Sequence, residues 1–183
     1  MSKAEEVLKE IEALTKKEFR PIMDPRKGKF LVEAIREAKP KHVLEVGTLI
    51  GYSAILMGKE LGSDAHLVSI EIHAHEAKAA EENIRRAGIP PKVEVIVGDA
   101  KEILPRLKES YDFVFLDAEK RENLVYLRFI EDRLHRGSVL VADNAGVSAD
   151  RMKDYLDYVR SSGKYKSRYI AVAEDGLEVS VKV

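Results

Sequence analysis

The chain has 183 residues, 45% hydrophobic and 34% charged, and its basic and acidic residues cancel to a formal net charge of -1. That is the size and mix of one globular domain with no global pull toward nucleic acid or an acidic membrane. It contains no cysteine, which excludes disulfides, thiolate metal sites and a cysteine nucleophile together.

Residues 1–19 are charged and amphipathic and contain no apolar stretch of the signal-peptide kind. Nowhere does an apolar run reach the roughly 20 residues a bilayer requires. The expectation is a cytoplasmic protein without a membrane partner, opening with a helical arm over residues 1–20. No repeat or Gly/Ser linker divides residues 1–183, so the arm leads into a single domain.

Beyond the arm, strand-like and helix-like patterns alternate. Apolar runs at 42–46, 66–72, 93–97, 113–116 and 138–142 predict strands, and helical periodicity predicts helices over 29–37, 53–61, 75–87, 100–107, 122–134 and 149–160. Strands apolar on both faces and separated by helices indicate a parallel sheet covered on both sides. Residues 165–173 and 177–183 form two further strand patterns joined at Glu174-Asp175-Gly176, and Asp-Gly is a strong hairpin signal. The predicted fold is α/β: a doubly wound, Rossmann-like, mostly parallel seven-stranded sheet ending in an antiparallel hairpin, the order of class I methyltransferases.

Ligands of such sheets bind beyond the carboxyl ends of the strands. The first of these ends reads Val43-Leu44-Glu45-Val46-Gly47-Thr48-Leu49-Ile50-Gly51-Tyr52-Ser53. Gly47 permits a sharp turn against a ligand, and Gly51 lets the next helix start close to it. Glu71 ends the second strand roughly two dozen residues later, where a carboxylate can accept both ribose hydroxyls of a nucleoside. Gly98-Asp99-Ala100 closes the third strand at the place of an adenine edge, and Asp99 can also cap the following helix.

A nicotinamide cofactor would need G-x-G-x-x-G, and the loop reads G-T-L-I-G instead. S-adenosylmethionine carries no phosphates and needs an anchor for its amino-acid end. Ser53 can bind its carboxylate beside free backbone N–H groups. Glu45 can face its ammonium, directly or through water.

Asp117 follows one strand and Asp143-Asn144 another. Two carboxylates and an amide oxygen are hard ligands suited to Mg²⁺ or a similar divalent cation. Such a cation eases loss of a hydroxyl proton and lets a vicinal oxygen chelate beside it.

VLEVGTLIGYSA resembles motif I of the catechol and caffeoyl-CoA O-methyltransferase family. The segments LDAEK, VADN and YVRSSGKYKSRY…DGLE are similar to it in order and spacing, from about Lys27-Gly28 to the C-terminus. The resemblance implies that Glu45, Gly47, Thr48, Ser53, Glu71, Asp99 and Ala100 line a pocket for S-adenosylmethionine. It implies further that Asp117, Asp143 and Asn144 bind the metal, with Asp117 also reaching the cofactor pocket. Lys120, three residues after Asp117, matches the catalytic base, and an ammonium beside a divalent cation loses its proton more readily than one in water. The implied substrate is a small molecule with adjacent oxygens, and a homodimer is implied by relatives that pair.

Registering the chain by Asp175-Gly176-Leu177-Glu178 places Tyr169 where the catechol enzyme has a substrate-contacting acid, which argues against catechol itself. Some relatives methylate a hydroxylated tRNA uridine, and the basic residues Arg160, Lys164, Lys166 and Arg168 offer a surface for that alternative. A non-catalytic nucleoside-binding module of the same fold is a further alternative, against which the D-x-x-K and D-N sets speak. His73 and His75 point apart on a helix and lack a third ligand. Tyr126, Phe129, Tyr155 and Tyr158 stand at helical spacing, as core or subunit-contact residues do.

Overall fold

In a computed structural model describing residues 1–183, the strand patterns form β1 (His42–Val46), β2 (His66–Glu71), β3 (Lys92–Val97), β4 (Tyr111–Leu116), β5 (Leu134–Ala142), β6 (Tyr165–Val172) and β7 (Asp175–Lys182). They make one sheet in the order β3-β2-β1-β4-β5-β7-β6. β1 to β5 are parallel, and β7 runs antiparallel between β5 and β6.

The helices are α1 (Lys3–Lys17), α2 (Pro25–Ala38), α3 (Tyr52–Gly58), α4 (Ala74–Ala87), α5 (Ala100–Ile103), α6 (Asn123–Ile130) and α7 (Lys153–Ser161). A capping box of Ser2 and Glu5 starts α1, and Asp24 with Pro25 starts α2. None is long and apolar enough to cross a membrane.

Side-chain alternation along the strands divides the core into two layers. Phe113 and Phe115 of β4 pack with α1, α2 and α3 on one face, while Val114 and Leu116 pack with α6 and α7 on the other. α2 begins earlier than its sequence pattern, α4 matches it to within a residue, and α3, α5, α6 and α7 are shorter than theirs. Pro105 lacks the N–H that would continue α5, so the chain tightens into a 3₁₀ turn at Leu104–Arg106. The pattern over 122–134 resolves into α6 between two 3₁₀ turns, Lys120–Glu122 and Glu131–Arg133. α7 begins only at Lys153, after turns that start with Asn144 in the left-handed region (φ 59°).

The hairpin joint differs from its sequence reading. Val172 pairs with Asp175, so the turn consists of Ala173 and Glu174, with Ala173 at φ 53°. Gly176 lies within β7, where a Cβ would come within 2.4 Å of Ile170 O. The glycine is needed for close approach of two strands, and it leaves Asp175 at a strand end with its carboxylate free to bond elsewhere.

Candidate active site

The sheet order reverses between β1 and β4, and the loops after β1, β2, β3 and β4 surround a cavity of about 520 Å³, within the range of small-molecule sites. Gly47 leaves β1 at φ 94°, and a Cβ there would stand 2.5 Å from the backbone oxygen of Asp117. No other residue lets the β1 turn rest on the end of β4 in this way. Glu71, buried at the end of β2, accepts from Leu49 N at 2.8 Å and His73 N at 3.0 Å. Each oxygen is fixed by one N–H and keeps a lone pair for a ligand. Asp99 caps α5 through Lys101 N at 2.8 Å and also lines the cavity, so it serves the helix without leaving the site.

Of the sequence-predicted residues, Gly47, Thr48, Ser53, Glu71, Asp99, Ala100 and Asp117 line this cavity. Glu45 lies behind the wall. It is fully buried, accepts from the Ser53 and Ser69 hydroxyls, and burial pushes its carboxyl up to about 7. The Thr48 hydroxyl is buried in the wall without a hydrogen-bond partner, a donor and acceptor left for a bound molecule. His73 and Tyr126 line the cavity as well, whereas Tyr155 is fully buried in the core.

A second cavity, of about 820 Å³, adjoins the first and shares Pro21, Ile22, Met23 and Asp117 with it. Its wall holds Asp143, Asn144, Lys27 and Asp175. The Lys27 ammonium, 4% exposed, donates to Asp143 Oδ1 and Asp175 Oδ2, both at 2.6 Å. Burial alone would lower its pKa, but the two carboxylates outweigh burial and hold it above the ordinary lysine value. Asp175 also accepts from Asn144 Nδ2, Gly146 N and Val147 N. Burial opposes its charge, yet Lys27 and these donors hold it well below the usual carboxylate range.

Lys120, 7% exposed, donates to Asp117 Oδ1 at 2.7 Å. Burial raises the Asp117 carboxyl above its ordinary value, the Lys120 ammonium works against that rise, and nearby Asp143 adds to it.

These residues fit a divalent cation. Three carboxylates against two ammonium groups leave one net negative charge in a buried place. No protein donor reaches the second oxygen of Asp117 or Asp143. Because Asn144 gives its amide nitrogen to Asp175, its amide oxygen is the end left for a metal.

Sequence reasoning missed Lys27 and Asp175. Lys27 had a signal, since it occupies the stripe that Leu31 and Ile35 continue into the core. Asp175 was hidden by the Asp-Gly turn reading. Tyr169, by contrast, lines neither cavity and donates to Asp175 O at 2.8 Å across its own hairpin.

A Rossmann-like sheet with an inserted antiparallel seventh strand, and with a nucleoside-sized cavity beside a carboxylate cluster, defines the class I methyltransferase architecture. The O-methyltransferase family model matches residues 1–157, and the chain belongs to that family. It is 39% identical over 168 residues to catechol O-methyltransferase B of Danio rerio, covering 85% of this chain and 63% of that one. It is 34% identical over 169 residues to the catechol O-methyltransferase of Sus scrofa, covering 85% and 90%. The O-methyltransferase from Bacillus cereus, solved in complex with SAH, superimposes with a TM-score of 0.86 at 26% identity, covering 99% of this chain and 90% of that one.

Proposed function

We propose that the chain transfers the methyl group of S-adenosylmethionine to a hydroxyl of a small molecule that carries a second oxygen beside it. The observation that carries this reading is the meeting of two cavities at Asp117, one framed for a nucleoside and the other lined by hard oxygen ligands. The SAH complex of the Bacillus cereus enzyme and the catechol O-methyltransferases among the relatives support it.

In the first cavity Glu71 would accept the ribose hydroxyls, Asp99 and Ala100 would border the adenine, and Thr48 and Ser53 would hold the amino-acid end. Glu45, behind Ser53, orients that hydroxyl. In the second, Asp117, Asp143 and Asn144 would hold Mg²⁺, which supplies Lewis acidity and a template for two vicinal oxygens. Lys120 would first give a proton to solvent, eased by a cation bound beside it, and as the neutral amine would accept the proton of the attacking hydroxyl as the new oxygen–methyl bond forms and the sulfur–methyl bond breaks. The resulting ammonium is stabilised by Asp117. Asp175, already engaged by four donors, positions Lys27 and the Asn144 loop rather than the substrate.

A small acceptor is favoured over RNA because half of the basic surface is already neutralised. Arg160 pairs with buried Glu178, and Lys164 with Glu131. The test is transfer of labelled methyl to a panel of catechols and hydroxylated nucleosides, with Mg²⁺ and with excess EDTA. Label on a vicinal diol in Mg²⁺ alone is expected. Transfer undiminished by EDTA would remove the metal from the reading, and label confined to nucleosides would replace the acceptor class.

A further inference from the structure

At the amino ends of the strands, opposite the two cavities, lies a group of side chains that methyl transfer does not use. His42 begins β1 and His66 begins β2, and the parallel register sets them directly side by side. Glu109, in the loop leading into β4, places one carboxylate oxygen 3.2 Å from His66 Nδ1 and 3.7 Å from His42 Nδ1. One ligand atom from each of the three lies within 4.8 Å of the others. On the far side of the His66 ring, Glu94 of β3 approaches Nε2 at 3.5 Å, and that nitrogen is otherwise buried without a hydrogen-bond partner.

We propose that His42, His66 and Glu109 form a second metal site, for Zn²⁺ or a similar borderline divalent cation, with Glu94 as the outer partner that orients His66. Tetrahedral bonds of about 2.0–2.1 Å separate neighbouring ligand atoms by roughly 3.4 Å. The two distances from Glu109 straddle that value, and the two imidazoles stand within 4.8 Å of each other. Two imidazoles and a carboxylate suit zinc, with water in the fourth position, whereas Mg²⁺ prefers an all-oxygen shell such as the one around Asp117.

The Glu94 contact gives the proposal a second leg. An imidazole that binds metal through Nδ1 carries its proton on Nε2, and that proton is normally given to a carboxylate or carbonyl. The backbone of the site is already fixed, since Lys41 N and His42 N both donate to Asp112 Oδ2 at 2.8 Å. A bound ion would tie the starts of β1 and β2 to the loop before β4, three segments the chain brings together from separate places. The site is independent of the methyl-transfer reading.

The experiment uses the full chain, stripped with chelator and titrated with Zn²⁺ alone against a chromophoric competitor, with thermal unfolding followed in parallel. Asp143→Asn removes zinc held at the other site. The expected result is one equivalent retained by Asp143→Asn as by wild type, whatever zinc wild type holds besides at the Asp143 site, accompanied by a rise in Tm. His42→Ala, at a half-exposed position, should lower the affinity of that equivalent at least tenfold and remove its Tm rise, while leaving methyl transfer unchanged. Glu94→Gln should weaken it by about tenfold without touching the ion. X-ray absorption should show two nitrogen ligands near 2.0 Å. Zinc binding unchanged in His42→Ala, or a sole equivalent that disappears in Asp143→Asn, would overturn the proposal.

Discussion

Around the first cavity the ordering contacts run between loops that follow neighbouring strands, as when Leu49 N meets Glu71 at a separation of 22 residues. Around the second they join distant parts of the chain: Lys27 reaches Asp143 across 116 residues and Asp175 across 148. The first region relies on backbone geometry, a glycine turn and strand-end N–H groups. The second relies on opposed charges taken out of water, which persist only because each has a partner. Loss of a single side chain around the first cavity should therefore spare the fold, whereas the acceptor region should respond sharply to any change in charge.

Lys120 gives the largest expected contrast. Lys120→Met should lower kcat by about 10²–10⁴, with little change in the affinity for S-adenosylmethionine measured by calorimetry. Lys120→Arg keeps the ion pair with Asp117 but cannot act as a base at working pH. Wild-type kcat and pH profile in that variant would make Lys120 a purely electrostatic residue.

Next in size is Lys27. Lys27→Met would leave Asp143 buried without its cation, and denaturant unfolding should show a loss of roughly 3–5 kcal/mol. A loss under 1 kcal/mol would mean that water or an ion replaces the ammonium without strain.

Glu45 is the one charged residue buried behind the first cavity, so it tests the comparison from the other side. Its folded pKa, about 7, lies above its ordinary value of 4.5, so between these values the folded state binds more protons than the unfolded one. Stability should fall as pH rises from about 4.5 through about 7, by up to roughly 3 kcal/mol, and Glu45→Gln should flatten that decline. The same slope in the variant would assign it to another group. At Glu71 the effect should be confined to the cofactor: Glu71→Ala should weaken S-adenosylmethionine, measured by calorimetry, by roughly 1.5–3 kcal/mol per lost charged hydrogen bond and leave the fold intact.

This division also explains what could be read from the sequence. The carboxyl ends of β1, β3, β4 and β5 were marked by apolar runs ending at Gly47, Gly98, Asp117 and Asp143, because a strand must stop where its backbone turns toward a ligand. The turns after them were legible for the same reason. Lys27 and Asp175 were not, since which cation meets which carboxylate depends on α2 and β7 packing against the end of β5, and no local pattern encodes that. Glu45 was assigned to the cofactor pocket from its place beside the glycine turn, but residue alternation along β1 sends its side chain into the core beneath Ser53. His42 and His66 were invisible as a pair because their adjacency comes from strand register alone.

The open sheet also has two outer strands whose free backbone groups could recruit another chain. β6 exposes Lys166 and Arg168 along one border, and β3 exposes Lys92 and Glu94 along the other. The like charges of Lys166 and Arg168 make pairing of one β6 edge with another copy's β6 unfavourable. Extension of the sheet from copy to copy through β6 is therefore disfavoured, and the protein should resist fibrillar stacking along that border at high concentration.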